Sequence, residues 1–296
     1  MSVQKRLSEV FNKSEKIVFN NSSRIVLISD CHRGDGSWAD DFSKNQNLFF
    51  TALQHYYNNQ YTYIELGDGD ELWKNKNPND IISEHKNAFW IMSQFLQKNR
   101  LYLIFGNHDI CKRRNKFMKK YFYEYYNEAK HQVVPIFKDI KVHEGLILEH
   151  EDTKNKIFLV HGNQGDILND KLWRLTCFLV RYIWRHLELI GVKDPTSTNK
   201  NYKRKEWIEK QMMKWVEKEN QMLIAGHTHR PVFSKVNEVS YFNDGSCVHP
   251  RCITCIEIFE GNIMLVKWSI KVKEDGVLFA GRDILEGPNK LKDYFS

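Results

Sequence analysis

The chain has 296 residues, of which 42% are hydrophobic, 27% charged and 13% aromatic, which excludes a disordered chain and leaves room for one large domain with a sizeable insertion. The formal net charge of +7 suits an anionic ligand, a nucleic acid or an anionic membrane surface, and by itself selects none of them. The most apolar stretch, Leu172 to Val192, carries Arg174, Arg181 and Arg185 and should not span a bilayer. The N-terminus lacks the apolar core of a signal peptide, so the expected location is cytoplasmic, with peripheral membrane contact left open.

Arg24 to Ser29 is a short apolar run of the kind a buried strand makes. Lys44 to Tyr57 places Leu48, Phe49, Ala52, Leu53 and Tyr56 at helical spacing, and Tyr61 to Leu66 is a second strand. Asp80 to Lys98 has a helical period, and Leu101 to Phe105 is a third strand. This alternation predicts an α/β domain with helices on a central sheet. Strand-like runs follow at Leu146 to Leu148, Ile157 to Val160, Gln221 to Ala225, Glu238 to Phe242, Cys252 to Phe259 and Asn262 to Ile270. A helical insertion, about 167–220, interrupts them and should split into a helix pair near Gly191–Pro195. The six cysteines are scattered, and free thiols are expected; Cys252-x-x-Cys255 lacks a second such pair and reads as part of a strand.

The chemistry lies just beyond the strands. They are followed in turn by Asp30-Cys31-His32, Gly67-Asp68-Gly69-Asp70, Gly106-Asn107-His108-Asp109, His161-Gly162 and Gly226-His227-Thr228-His229. Ligands of open α/β sheets bind at the carboxyl ends of strands, so these five segments are expected to converge. In extended chain, residues i and i+2 point the same way, so Asp30 and His32 can share an ion, as can His227 and His229. Imidazole and carboxylate donors suit manganese first, with iron, zinc or nickel as alternatives.

This ordered set resembles the calcineurin-like metallophosphoesterase superfamily, over a span from Arg24 to about Ile270. The resemblance implies a four-layer α/β/β/α sandwich with two divalent metal ions at its strand ends. It implies Asp30, His32 and His229 at one metal, Asn107, His161 and His227 at the other, Asp68 between both, and His108 as a non-ligand histidine beside the scissile phosphate. Within the superfamily the chain looks most like the UDP-2,3-diacylglucosamine diphosphatase branch. Gly67 to Trp73, Gly226-His227-Thr228-His229-Arg230-Pro231 and the helical insertion carry that likeness, while His108 stands where a common form of the branch has Arg.

The expected reaction is in-line attack on a phosphate ester or pyrophosphate by a metal-activated hydroxide. His108, held by Asp109, would protonate the leaving oxygen, and Arg33 and Arg230 would contact phosphate. The substrate is expected to be a phosphorylated small molecule or a lipid- or nucleotide-linked one. In the insertion, one apolar row (Leu172, Leu175, Leu179, Ile183, Leu187) would pack on the sandwich. The neighbouring row (Trp173, Cys177, Val180, Trp184) would meet an acyl chain or a lipid interface, or pack within a helix hairpin. A nuclease of the same superfamily, and a scaffold that binds metal without catalysis, are the alternatives.

Overall fold

The computed structural model describes residues 2–127, 131–166, 173–184 and 202–295. In chain order the elements are α1 (Val3–Lys13), β1 (Glu15–Phe19), β2 (Arg24–Ile28), α2 (Gln46–Asn58), β3 (Thr62–Leu66), α3 (Pro78–Glu84), α4 (Lys86–Gln97), β4 (Leu101–Ile104) and α5 (Asn115–Tyr121). The short hairpin β5 (Glu124–Asn127) and β6 (Gln132–Pro135) comes next. Then follow β7 (Val142–His143), β8 (Gly145–His150), β9 (Lys156–Val160), β10 (Met222–Ala225), β11 (Val232–Phe233), β12 (Tyr241–Asn243), β13 (Cys252–Phe259), β14 (Asn262–Val272) and β15 (Leu278–Lys290).

Two sheets carry the fold, one in the order β1-β8-β9-β10-β12-β11 and the other β15-β14-β13-β2-β3-β4-β7. The strands β2, β3 and β4 are parallel neighbours, as are β9 and β10. Side-chain alternation along each strand divides its residues between two cores. Ile25 and Leu27 of β2 join Ile157 and Leu159 of β9 and Met222 and Ile224 of β10 in a core between the sheets. Val26 and Ile28 face outward onto Phe49, Leu53, Phe89 and Phe95 of α2 and α4. Phe158 and Val160 face the other way, onto α1 and the helix Tyr202–Glu219 through Leu7, Met212 and Trp215. The result is the α/β/β/α sandwich. Strands buried on both faces must be apolar throughout, and for that reason Arg24–Ile28 and Lys156–Val160 were readable without their partners.

Some elements differ from expectation. Asp80 to Lys98 forms two helices, α3 and α4, that meet at His85, whose Nε2 lies 2.8 Å from Asp40 Oδ2. Within the insertion, helix Trp173–Leu179 widens into a π-turn at Val180–Trp184. There Val180 is buried, as packing of its row within a helix hairpin would make it, while Leu179 is partly exposed beside the exposed Phe178 and Tyr182. The Gly191–Pro195 break lies outside the described residues. Among those described, no helix is long and apolar enough to cross a membrane. All six cysteines are free, with Cys252 and Cys255 on β13.

Candidate metal centre

The carboxyl ends of β2, β3, β4, β9 and β10 bring the five polar segments together. Backbone bonds hold these segments in register: Asp30 N donates to Gly67 O at 3.0 Å, His32 N to Asp68 O at 2.9 Å, and Gly226 N to His161 O at 2.8 Å. Asp30, His32, Asp68, His227 and His229 all have positive φ, between 49° and 68°. The i, i+2 convergence of Asp30 with His32 and of His227 with His229 therefore uses left-handed residues rather than extended chain. Such conformations cost about 1–3 kcal/mol each outside glycine and persist only where surrounding structure dictates them. Gly106 shows how tight the packing is, because a Cβ there would lie 2.2 Å from Asp68 Oδ1.

Two compact triads sit at the strand ends, and a third group, His32, Glu71 and His108, shares His32 with the first. The ligand atoms of Asp30, His32 and His229 lie within 4.8 Å of one another, and so do those of Asp68, His161 and His227. Asp30 Oδ1 lies 2.9 Å from His229 Nε2 and 3.6 Å from His32 Nε2. His32 Nε2 and His229 Nε2 face each other at 3.2 Å. Asp68 Oδ2 is 3.1 Å from His161 Nε2 and 3.9 Å from His32 Nε2, so this carboxylate reaches both triads. His161 Nδ1 lies 2.8 Å from Leu66 O. A carbonyl can only accept, so Nδ1 carries the proton and Nε2 presents its lone pair. His227 Nε2 and both amide atoms of Asn107 are buried with no hydrogen-bond partner among the described residues, and His161 Nε2 faces only the Asp68 carboxylate. Buried polar groups are rarely left unpaired, and nitrogen and oxygen donors packed among carboxylates without hydrogen bonds fit divalent metal ions.

Electrostatics agree with this donor set. Burial alone would raise the Asp30 carboxyl, but His229 and His161 hold it well below its ordinary range. Burial opposes Asp68 in the same way, and His161 and His108 outweigh it, leaving it strongly acidic. Burial depresses His229 to about 4 despite Asp30. Burial also works against protonation of His161, yet Asp68 and Asp30 lift it to about 9, so a cation held at Nε2 would displace a proton that otherwise points at Asp68.

His108 has a side chain 20% exposed, against 8% or less for His32, His161, His227 and His229. Its partner is Glu71, not Asp109: Nδ1 lies 2.8 Å from Glu71 Oε1, while Glu71 Oε2 lies 3.2 Å from His32 Nδ1. Both imidazoles meet Glu71 through Nδ1, which leaves each Nε2 directed elsewhere. Asp109 instead accepts from Gly106 N at 2.7 Å and Gly69 N at 3.2 Å and pairs with Lys112 at 2.9 Å, tying two loops beneath the centre.

Arg33 does not face substrate either. It is fully buried, donating to Asp70 at 2.6 Å and to both oxygens of Glu65 at 2.8 and 3.0 Å. Asp70 also pairs with Lys112 at 2.6 Å, which accounts for a carboxylate that neither supports a histidine nor caps a helix. Arg33→Met should therefore leave Glu65 and Asp70 short of a counter-charge and cost about 3–5 kcal/mol in urea unfolding. A normally stable variant with raised KM for a phosphate ester would return the guanidinium to the substrate side.

Arg230 remains 39% exposed beside His229, bonded to Glu209 and lying over the Tyr202 ring at 5.7 Å. Three nearby residues gave no sequence signal. Asp166 lies 3.6 Å from His227 and pairs with Arg204, and despite burial these hold its carboxyl near 2. Lys205 is half-buried, and this depresses its ammonium despite the fields of Glu209 and Asp30. Glu71 follows a second acid, Asp70, so adjacency could not identify which one meets histidine.

Two solved structures are similar. One is a conserved uncharacterized protein, titled a predicted phosphoesterase, from Streptococcus pneumoniae TIGR4, with 13% identity over 88% of this chain and 97% of that one at a TM-score of 0.36. The other is Vps29 of Chaetomium thermophilum, with 10% identity over 89% and 97% of the respective chains at a TM-score of 0.38. No curated protein matches the sequence. The profile of the Calcineurin-like phosphoesterase family matches residues 23–231, a span that holds all five strand-end segments, and the chain belongs to that family.

Proposed function

We propose that the protein is a dinuclear metal-dependent hydrolase of phosphate esters or pyrophosphates. The observation that carries this reading is the pair of adjacent triads sharing the reach of Asp68, with unpaired buried donors on Asn107 and His227. Asp30, His32 and His229 would hold one divalent cation, and Asn107, His161 and His227 the other, with Asp68 between them. Such cations supply positive charge to polarise a phosphoryl group and to acidify a water near neutral pH.

The chain's own groups do the rest. Asn107 offers an amide N–H to a non-bridging oxygen. His108, held at Nδ1 by Glu71, delivers a proton from Nε2 to the leaving oxygen. Arg230 and Lys205 contribute positive charge on the accessible side. The exposed Phe178, Leu179 and Tyr182 favour a substrate with an apolar portion or a lipid interface. With the likeness around Gly67 to Trp73, they support a nucleotide- or lipid-linked pyrophosphate of the kind cleaved by UDP-2,3-diacylglucosamine diphosphatases. The nuclease reading draws support from Arg113, Arg114, Lys116, Lys119 and Lys120, exposed or nearly so beyond the Gly106–Asp109 segment.

The test is a hydrolysis screen with Mn²⁺ over a chromogenic monoester, a diester, a nucleotide-sugar diphosphate and single-stranded DNA. Metal-dependent turnover, highest on the nucleotide-sugar diphosphate, is expected. Degradation of DNA alone would establish the nuclease, and no turnover with any substrate would leave a metal-binding scaffold.

A further inference from the structure

We infer that Arg181, on the inserted helix, is a positioning residue that acts through His108. This rests on the reading of His108 as proton donor. Arg181 Nε donates to Trp73 O at 2.9 Å, and Nη2 donates to Leu72 O at 2.7 Å. These carbonyls belong to the segment that leaves β3 through Asp68 and Glu71, and that segment holds His108 from two directions. Glu71 binds the imidazole edge at 2.8 Å, and the Trp73 ring stacks on its face with centroids 4.1 Å apart and planes 23° from parallel. Lys74 N donates to the same Glu71 oxygen at 3.2 Å, so carboxylate and indole are carried by one short stretch of backbone.

That stretch has no regular secondary structure to fix it, because residues 71–77 lie between β3 and α3. Leu72 and Trp73 are buried, so their carbonyls need partners, and the guanidinium supplies two charge-assisted bonds from one planar fork. A lysine can supply only a point charge and cannot span both carbonyls in the same way. The Glu71 backbone is also held by bonds from Glu71 N to Arg33 O at 2.9 Å and from Asn75 N to Glu71 O at 3.2 Å, so loss of the fork frees the Trp73 ring, and the imidazole stacked on it shifts with it. A displacement of about 1 Å at a reacting group can cost about 100-fold in rate. The insertion is thereby coupled to proton delivery without touching either triad.

The experiment compares wild type, Arg181→Met, Arg181→Lys, His108→Ala and the double variant Arg181→Met/His108→Ala. The substrates are p-nitrophenyl phosphate and phenyl phosphate with Mn²⁺. Arg181→Met should lower kcat about 10- to 100-fold on phenyl phosphate, less on the better leaving group, with KM little changed. Arg181→Lys should recover part of the loss. In the His108→Ala background the Met change should have no further effect; multiplying losses would overturn the inference.

A second readout does not depend on turnover. In histidine-labelled Zn²⁺-loaded protein, the His108 ring protons, assigned by their loss in His108→Ala, should sit upfield because of the Trp73 face. They should move toward ordinary positions in Arg181→Met and less far in Arg181→Lys. Unmoved signals in a folded Arg181→Met protein would also overturn the clamp. If wild type hydrolyses nothing, the reading of function fails while the ring shifts still decide whether Arg181 sets the stack.

Discussion

Asp68→Ala is expected to abolish hydrolysis and to reduce bound metal, measured by elemental analysis after gel filtration. Asp68 is 1% exposed and held in a left-handed conformation at the end of β3. One oxygen accepts from His108 N at 2.8 Å, and the other lies near both His161 and His32. Asp30 and Asp68 are the only carboxylates in the two triads, so alanine removes one of the two that would meet the cations directly. Asp68→Asn separates charge from shape, because it keeps an oxygen for the His108 N–H. If charge decides metal retention, both variants should lose metal, while only alanine should loosen the Asn107–His108 loop. A variant that keeps two equivalents of metal and near-normal turnover would sink the assignment.

Legibility in the sequence followed physical constraint. The strands leading to the centre are buried on both faces, so their apolar runs stood out, and polar residues ending such runs had to have a purpose. Left-handed φ at Asp30, Asp68 and His227 left no trace, because these residues carry no intrinsic demand for it; inter-segment bonds such as Asp30 N to Gly67 O impose it. Arg33 was misjudged because its place beside two ligand residues says nothing of the buried carboxylates Glu65 and Asp70, from other parts of the chain, that hold it. The exchange of Asp109 for Glu71 was not readable, since chain neighbours such as His108 and Asp109 point apart and the true partner comes from another loop. The edge strand β15 was hidden because its apolar residues come in short blocks, Leu278 to Ala280 and Ile284-Leu285, broken by Gly, Arg, Asp and Glu, and several stay exposed. In the insertion, the π-turn at Val180–Trp184 was not readable, because a pattern count at 3.6 residues per turn assumes a regular helix.

His108→Ala is expected to keep its metal and to slow turnover by about 10²–10⁴-fold, the range typical of a lost general acid. The imidazole touches the centre only at its border. Its ring meets the Trp73 face and the edge of His32, its Nδ1 meets Glu71, and only its backbone N–H contacts Asp68. Alanine preserves that backbone contact, so metal content should stay at the wild-type level, in contrast to Asp68→Ala. The loss should depend on the leaving group, since a p-nitrophenolate needs little protonation and an alkoxide needs a full proton. A plot of log kcat against leaving-group pKa should therefore be steeper for the variant than for wild type. Parallel lines would mean that His108 binds or orients the phosphate instead. Glu71→Gln adds a control: it keeps a hydrogen-bond acceptor for Nδ1 but removes the negative charge beside the ring. Its slope should fall between wild type and His108→Ala, and a slope equal to wild type would show that the carboxylate orients the ring without supplying charge to the proton transfer.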